Sequence, residues 1–330
     1  MSKLRLTMSC WDYDRTRALR EGCVAIDGVE LNYLTLPIEE TFFRMMRYRE
    51  FEIAEMSLSS YVVSLFRENP PFIAIPVFIS RAFRHSGIFI HTASGITEPR
   101  QLIGKRVGNP EYQLTAIVWI RGILSDEFGV PIDSVTYVIG GQEEPGRIEK
   151  TGIQLPPQIP TEPSPPGKTL ARMLEAGEID ALYAPRAPST LFSNPAKVRR
   201  LFPDYPAIER EYYNKTKIFP IMHVVVIRRD VYESNRWLAQ SLYKALAKAK
   251  RLASDDLRET AALKVMLPWA LEHVAETEAL MGLDFWPYGL EDNAHALRTF
   301  LRYSWEQGLS PHQLDPVDLF APETLESFKI

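Results

Sequence analysis

The sequence predicts an α/β protein of two lobes, with its functional cleft between them. Three observations predict it. Strand-like and helix-like segments alternate along the chain, they do so in two successive series, and a buried-looking strand returns late, at 221–228. The 330 residues suffice for two lobes with cores of their own.

The elements follow in order. Residues 3–9 alternate as a first strand, and 12–22 carry Arg15, Arg20 and Glu21 on a short helical pattern. Residues 29–36 alternate at period two, a second strand, and 39–49 place Phe42, Phe43, Met45 and Met46 on an amphipathic helix. A short strand at 52–56 leads into a helix that Ser57, Ser59 or Ser60 can cap. Strands at 73–79 and 86–91 flank a polar turn at 80–85. The second series opens near Gln101, runs into a strong helix at 114–127 and continues with a strand at 135–139.

Residues 142–167 hold seven prolines and several charges, an irregular loop of a length that usually serves function or motion. A helix at 168–176 and a strand near 179–184 follow, and after 230 the pattern is mostly helical to about 308. The expected sheets are largely parallel. The late strand makes the first lobe discontinuous: 1–88 plus 227–330, with 89–226 as the second lobe.

Composition narrows the function. The net charge is −4 with no basic arm, so nucleic acid and anionic membrane are not expected partners. No apolar run approaches the ~18 residues of a membrane span. The N-terminal residues show no apolar core and no small-residue cleavage site, which predicts a cytoplasmic chain. Cys10 and Cys23 read as reduced thiols rather than a disulfide framework. There is no Gly-x-Gly-x-x-Gly, no phosphate loop, no Gly-x-Ser-x-Gly and no Cys-x-x-Cys. No two of His85, His91, His223, His273, His295 and His312 have the spacing of a helical metal site, and no metal is expected.

Several runs carry a resemblance. They are Leu102-Ile103-Gly104-Lys105-Arg106-Val107-Gly108 continuing through Tyr112-Gln113-Leu114-Thr115-Ala116 to Trp119, then Gly140–Arg147, Leu174–Leu182 and Pro185-Arg186-Ala187-Pro188-Ser189. Phe219–His223 and Trp286-Pro287-Tyr288-Gly289-Leu290 complete the set. Together, and in this order, they resemble the 4,5-dihydroxyphthalate decarboxylase family. The resemblance implies the fold of type-2 periplasmic binding proteins. It also implies loss of CO2 from 4,5-dihydroxyphthalate to give protocatechuate, with no organic cofactor.

That chemistry needs a proton for the ring carbon, stabilisation from the para hydroxyl, and a grip on the retained carboxylate. Arginine is the natural clamp, since its planar fork matches a carboxylate. Arg81 and Arg84 follow a strand, where ligands of open α/β sheets bind, and Arg186 sits between two prolines past another. A solvated turn is the plain alternative for Arg81 and Arg84, and a surface position for Arg186.

His85 and His223 lie at the two lobe crossings and are the candidate proton donors, His223 preferred because arginines precede His85. The helix start at 110–115 makes Tyr112, Gln113 and Thr115 candidate binders of a carboxylate or catechol oxygen, with Thr115 otherwise an ordinary cap. Asp12 follows the first strand as a hydroxyl binder or a helix cap, and Ser59 and Ser60 open another helix toward the same cleft.

The expected partner is therefore a small aromatic carboxylate, with the oligomeric state, a homo-oligomer included, left open. A solute receptor or sensor for an aromatic carboxylate is the competing reading, because it would use the same cleft and arginines. A synthase of a thiamine pyrimidine precursor ranks third, since no Cys- or His-rich iron motif is present.

Overall fold

The computed structural model describes residues 3–147 and 152–325. Its strands are β1 (Leu4–Ser9), β2 (Val29–Leu34), β3 (Ile53–Ser57), β4 (Phe72–Arg81), β5 (Ile88–His91), β6 (Arg106–Asn109), β7 (Thr136–Ile139), β8 (Thr161–Pro163), β9 (Ala181–Tyr183), β10 (Val198–Arg200) and β11 (Ile221–Arg228). Its α-helices begin with α1 (Asp14–Arg20), α2 (Ile38–Tyr48), α3 (Leu58–Ser64), α4 (Thr115–Phe128), α5 (Leu170–Ala176) and α6 (Ser189–Ser193). They continue with α7 (Tyr205–Thr216), α8 (Arg229–Ser234), α9 (Trp237–Leu257), α10 (Ala270–Met281) and α11 (Ala294–Glu306).

The chain divides into two compact units. Unit 1 comprises the described residues to Arg81, Ile221–Leu297 and those from Leu314 onward. Unit 2 comprises Ala82–Pro220 and Arg298–Gln313. The crossings thus fall seven and six residues before the expected ones at 88 and 226, and 298–313 joins the second unit. At the first crossing β4 extends two residues into the segment read as a polar turn and ends at Arg81, where the first stretch of unit 1 also ends.

Unit 1 is built on a sheet of order β2-β1-β3-β11-β4. β1 pairs in parallel with β2 and β3, while β11 returns antiparallel between β3 and β4. β4 lies at the edge and tolerates Pro76, which has no N–H for a ladder. Helix α9 covers the sheet with Leu238, Leu242, Ala245, Leu246 and Ala249, a stripe at helical spacing, all within 4 % exposure. Each buried leucine there contributes ~1.5–3 kcal/mol.

Unit 2 has a sheet of order β10-β5-β9-β6-β7-β8. β6, β7, β8 and β9 are parallel, and β5 runs antiparallel to β9 and β10. The sheets are therefore mixed rather than largely parallel. Within the proline-rich 142–167 segment, β8 pairs with β7, which periodicity over three residues could not reveal; residues 148–151 lie outside the described residues.

Helix α4 is buried from Thr115 to Leu124, so its role is core rather than face. Tyr303 of α11 lies directly against Gly122 of α4 and gives its hydroxyl to Asp126 at 2.7 Å. No helix among the described residues is long and apolar enough to cross a membrane.

Gly122 gives the fold a test with an unusual sign. Alanine in place of an interior helical glycine ordinarily stabilises by roughly 1 kcal/mol. Here the added Cβ would overlap the Tyr303 ring. Gly122→Ala should lower stability by ~1–3 kcal/mol in denaturant titration. A stabilised variant would show that α4 and the Tyr303 segment do not pack as described.

Candidate active site

The densest polar constellation of unit 1 is gathered around one carboxylate. Glu55 is the third residue of β3, a strand otherwise apolar up to Ser57, and it is fully buried. Its two oxygens accept from four groups. Oε1 takes the Tyr13 hydroxyl and His223 Nδ1, both at 2.6 Å. Oε2 takes the Trp11 backbone N–H at 3.1 Å and the Cys10 thiol at 3.6 Å. Burial alone would raise the Glu55 pKa, but hydrogen bonds and charge from His223, then Tyr13 and Trp11, outweigh it and hold the group below its ordinary value. Glu55 is thus a buried carboxylate.

Strand register produces this arrangement. β11 opposes β3 with His223 across from Ser57 and Val225 across from Glu55. Glu55 and His223 are diagonal neighbours on one face, within reach of long side chains. Against β4 the ladder shifts register on both sides of His223, and such irregularities re-aim side chains beside functional sites. Trp11 and Tyr13 reach the carboxylate because β1, parallel to β3, ends at Ser9 just before them.

Phe42 of α2 packs edge-on against the His223 ring at 4.9 Å, and the histidine side chain stays 14 % exposed. An ionised carboxylate can only accept, so His223 Nδ1 carries the hydrogen. Nε2 is left as the nitrogen that exchanges a proton. Burial, followed by the charge of Glu55, pushes the Cys10 thiol and the Tyr13 phenol up, so both stay protonated donors. Cys10 and Cys23 are both free thiols.

The other sequence candidates have varied settings. Arg81 ends β4 and gives Nη2 to the Pro287 carbonyl at 2.9 Å and to the Asn293 side chain, so it ties down the 287–293 loop rather than standing ready as a clamp. Asp12 neither caps α1 nor is buried; it pairs with Arg20, and Tyr13 occupies the cap position without a side-chain bond to the helix N-terminus. Ser57 is the residue that caps α3, while Ser59 and Ser60 are buried within that helix.

In unit 2, His85 is buried in an aromatic cage, its ring centroid 5.1 Å from Tyr212 and 5.7 Å from Phe202. Burial lowers its pKa to about 4, so it is neutral at neutral pH and poorly suited to give a proton. The expected cause, neighbouring arginines, is not the acting one. Arg84 is half-buried, 3.4 Å from the Pro185 carbonyl, and burial draws it down to about 10 against the opposing charge of Glu209. Arg186 is exposed.

Tyr112 is interior: its hydroxyl bonds the Gln307 carbonyl at 3.2 Å, and Arg121 stacks 3.6 Å above its ring. Thr115 is the first helical residue of α4 and Leu114 the cap, so Thr115 is not the cap. Gln113 is buried, with Oε1 unbonded among the described residues, as are both side-chain amide atoms of buried Asn109. Gln113 Oε1 and His85 Nδ1 are sequence candidates that keep a polar atom for a ligand or water.

Sequence reasoning passed over Glu55. A lone acid at an interior position of an apolar strand, Ile53-Ala54-Glu55-Met56, was the available signal, since such a residue is rarely buried without dedicated partners.

No family model matches the chain. A curated 4,5-dihydroxyphthalate decarboxylase from Comamonas testosteroni is 44% identical over 330 residues, covering 100% of both chains. The chain belongs to the 4,5-dihydroxyphthalate decarboxylase family. A second curated 4,5-dihydroxyphthalate decarboxylase, from Pseudomonas putida, is 44% identical over 213 residues, 64% of this chain and 83% of the relative.

Solved structures show the fold, that of periplasmic binding proteins. The periplasmic aliphatic sulphonate binding protein SsuA of Escherichia coli gives a TM-score of 0.53 at 12% identity, covering 98% of this chain and 99% of its own. The desulfurization enzyme DSZB with biphenyl-2-sulfinic acid gives 0.51 at 16% identity, covering 98% of each.

Two of the runs that resemble the 4,5-dihydroxyphthalate decarboxylase family meet in unit 2. Glu143 accepts from the Ser189 N–H and hydroxyl at 2.9 and 2.7 Å, and Gln142 donates to the Arg186 carbonyl at 3.2 Å. Glu143 thus braces the start of α6.

The depressed pKa of Glu55 fixes the sign of a stability change. The unfolded chain binds this proton more readily, so the contribution is present above the ordinary carboxylate value, about 4.3, and is lost as pH falls through the folded value. Urea unfolding at pH 7 and pH 3.5 should show a smaller acid loss in Glu55→Gln than in the parent chain. Equal losses would mean that Glu55 is not held ionised.

Proposed function

We propose that this chain releases CO2 from 4,5-dihydroxyphthalate and forms protocatechuate, with His223 as the proton donor and Glu55 as the group that positions it. The carrying observation is the His223–Glu55 pair in a chain of this family. Full-length relatedness to curated decarboxylases supports the reaction, and the pair supplies acid–base chemistry that the reaction needs.

The steps balance with one proton. His223 Nε2–H protonates the ring carbon bearing the departing carboxylate, and the positive charge spreads to the hydroxyl para to it. The C–C bond then breaks, its electrons restore the aromatic ring, and CO2 leaves. His223 recovers its proton from water, which reaches its partly exposed ring. Glu55 keeps Nδ1–H in place throughout, as carboxylates do for catalytic histidines. Tyr13 bonds the same oxygen and fixes the carboxylate in turn.

The receptor alternative accounts for the fold. It gives no use to a histidine held by a buried carboxylate, and the curated relatives are named as decarboxylases. A cytoplasmic location belongs to this proposal, as does a small aromatic carboxylate as partner in place of nucleic acid or membrane.

Release of CO2 from 4,5-dihydroxyphthalate tests the proposal. His223→Asn should lower kcat by ~10²-fold or more while substrate still binds. Glu55→Gln should lower kcat with a smaller effect on KM, because it acts through the histidine. Parent rates in His223→Asn would remove this donor. Activity should also survive exhaustive chelation, since side chains supply the proton. Loss on chelation, restored by one divalent metal, would overturn the metal-free route.

A further inference from the structure

We infer that Arg15 is the residue that reads the substrate's retained carboxylate and so sets specificity; this rests on the decarboxylase reading above. Arg15 sits on α1 in unit 1, with the dyad. Its guanidinium carbon lies 4.0 Å from the ring centroid of Tyr13, whose hydroxyl shares Glu55 Oε1 with His223. The cation is therefore about one aromatic ring away from the carboxylate that holds the proton donor.

The side chain is held in position. Nε donates to the Ile79 carbonyl at 2.6 Å and Nη1 to Asp14 Oδ1 at 3.0 Å. Trp286 stacks 4.4 Å from the guanidinium carbon and is itself fixed by Nε1 donating to the Phe78 carbonyl at 2.8 Å. The Trp-Pro-Tyr-Gly-Leu run at 286–290, which carried the resemblance without a role, acquires one here: its tryptophan packs the arginine.

Two of the five guanidinium N–H groups are used, and the guanidinium makes no other hydrogen bond among the described residues. Its side chain is 16% exposed, so the remaining donors are not sealed in. Asp14 is a weak competitor, because its own side chain is 46% exposed and solvated. Arg81, by contrast, is buried and spends Nη2 on the 287–293 loop.

Chemistry decides which carboxylate Arg15 holds. A fixed cation on the departing group would stabilise the charge that must be lost and oppose CO2 formation. On the retained group it holds the ring without that penalty. Protocatechuate keeps this carboxylate and should therefore need Arg15 as well.

The test is calorimetric titration with protocatechuate and its methyl ester, which keeps the ring and hydroxyls but loses the charge. The parent chain should prefer the acid by on the order of 30-fold or more. Arg15→Met should abolish that preference while still binding the ester, and Arg15→Lys should keep part of it. A preference that survives in Arg15→Met overturns the inference, as does a parent chain without one. If Arg15→Met binds neither compound, Arg15→Lys decides: retained preference supports the role, and loss of all binding overturns it in favour of a structural one. CO2 release by the parent chain, measured on the same preparation, reports separately on the decarboxylase reading.

Discussion

Unit 1 is organised around the burial of one charge. Moving a carboxylate out of water costs several kcal/mol, and removing one of its partners costs nearly as much again. Glu55 meets that cost with four donors from β11 and from the segment after β1. Each donor requires a particular register: β1 parallel to β3 so that Trp11 and Tyr13 arrive, and β11 antiparallel to β3 so that His223 lies diagonal to the acid. The carboxylate thereby makes strand register and histidine orientation a single constraint.

Arginines that serve structure differ from one suited to a ligand. A guanidinium has five donors, and its availability to a ligand depends on whether the side chain stays open to solvent once the fold has fixed it. Arg121 in unit 2 gives Nε to Gln307 at 2.7 Å and Nη2 to the Tyr112 carbonyl at 2.6 Å while lying on the Tyr112 ring, a fully interior setting. Arg81 does similar work in unit 1. Arg15 is as well positioned as either but remains reachable by solvent.

Much of the architecture was legible from periodicity. β1, β2, α2, α4 and β11 fall within one or two residues of their expected spans, because each has enough residues for a period of two or 3.6 to register. β8 and β10, three residues each, leave no such trace. His223 was named as a candidate from its place beside an apolar strand. Its partner was not, because the pairing depends on which strand β11 returns to. Arg81, Tyr112 and His85 looked functional from position alone; whether a polar group is consumed by a nearby carbonyl or buried among rings is a property of packing that local sequence does not carry.

The most direct measurement is the tautomer of His223. In protein labelled with nitrogen-15, comparison with His223→Asn identifies the ring signals of this residue. The predicted result is a neutral ring with its proton on Nδ1, facing Glu55, and a bare Nε2. A neutral ring with its proton on Nε2 and a bare Nδ1 would contradict it, because Nδ1 could not then donate to the Glu55 carboxylate.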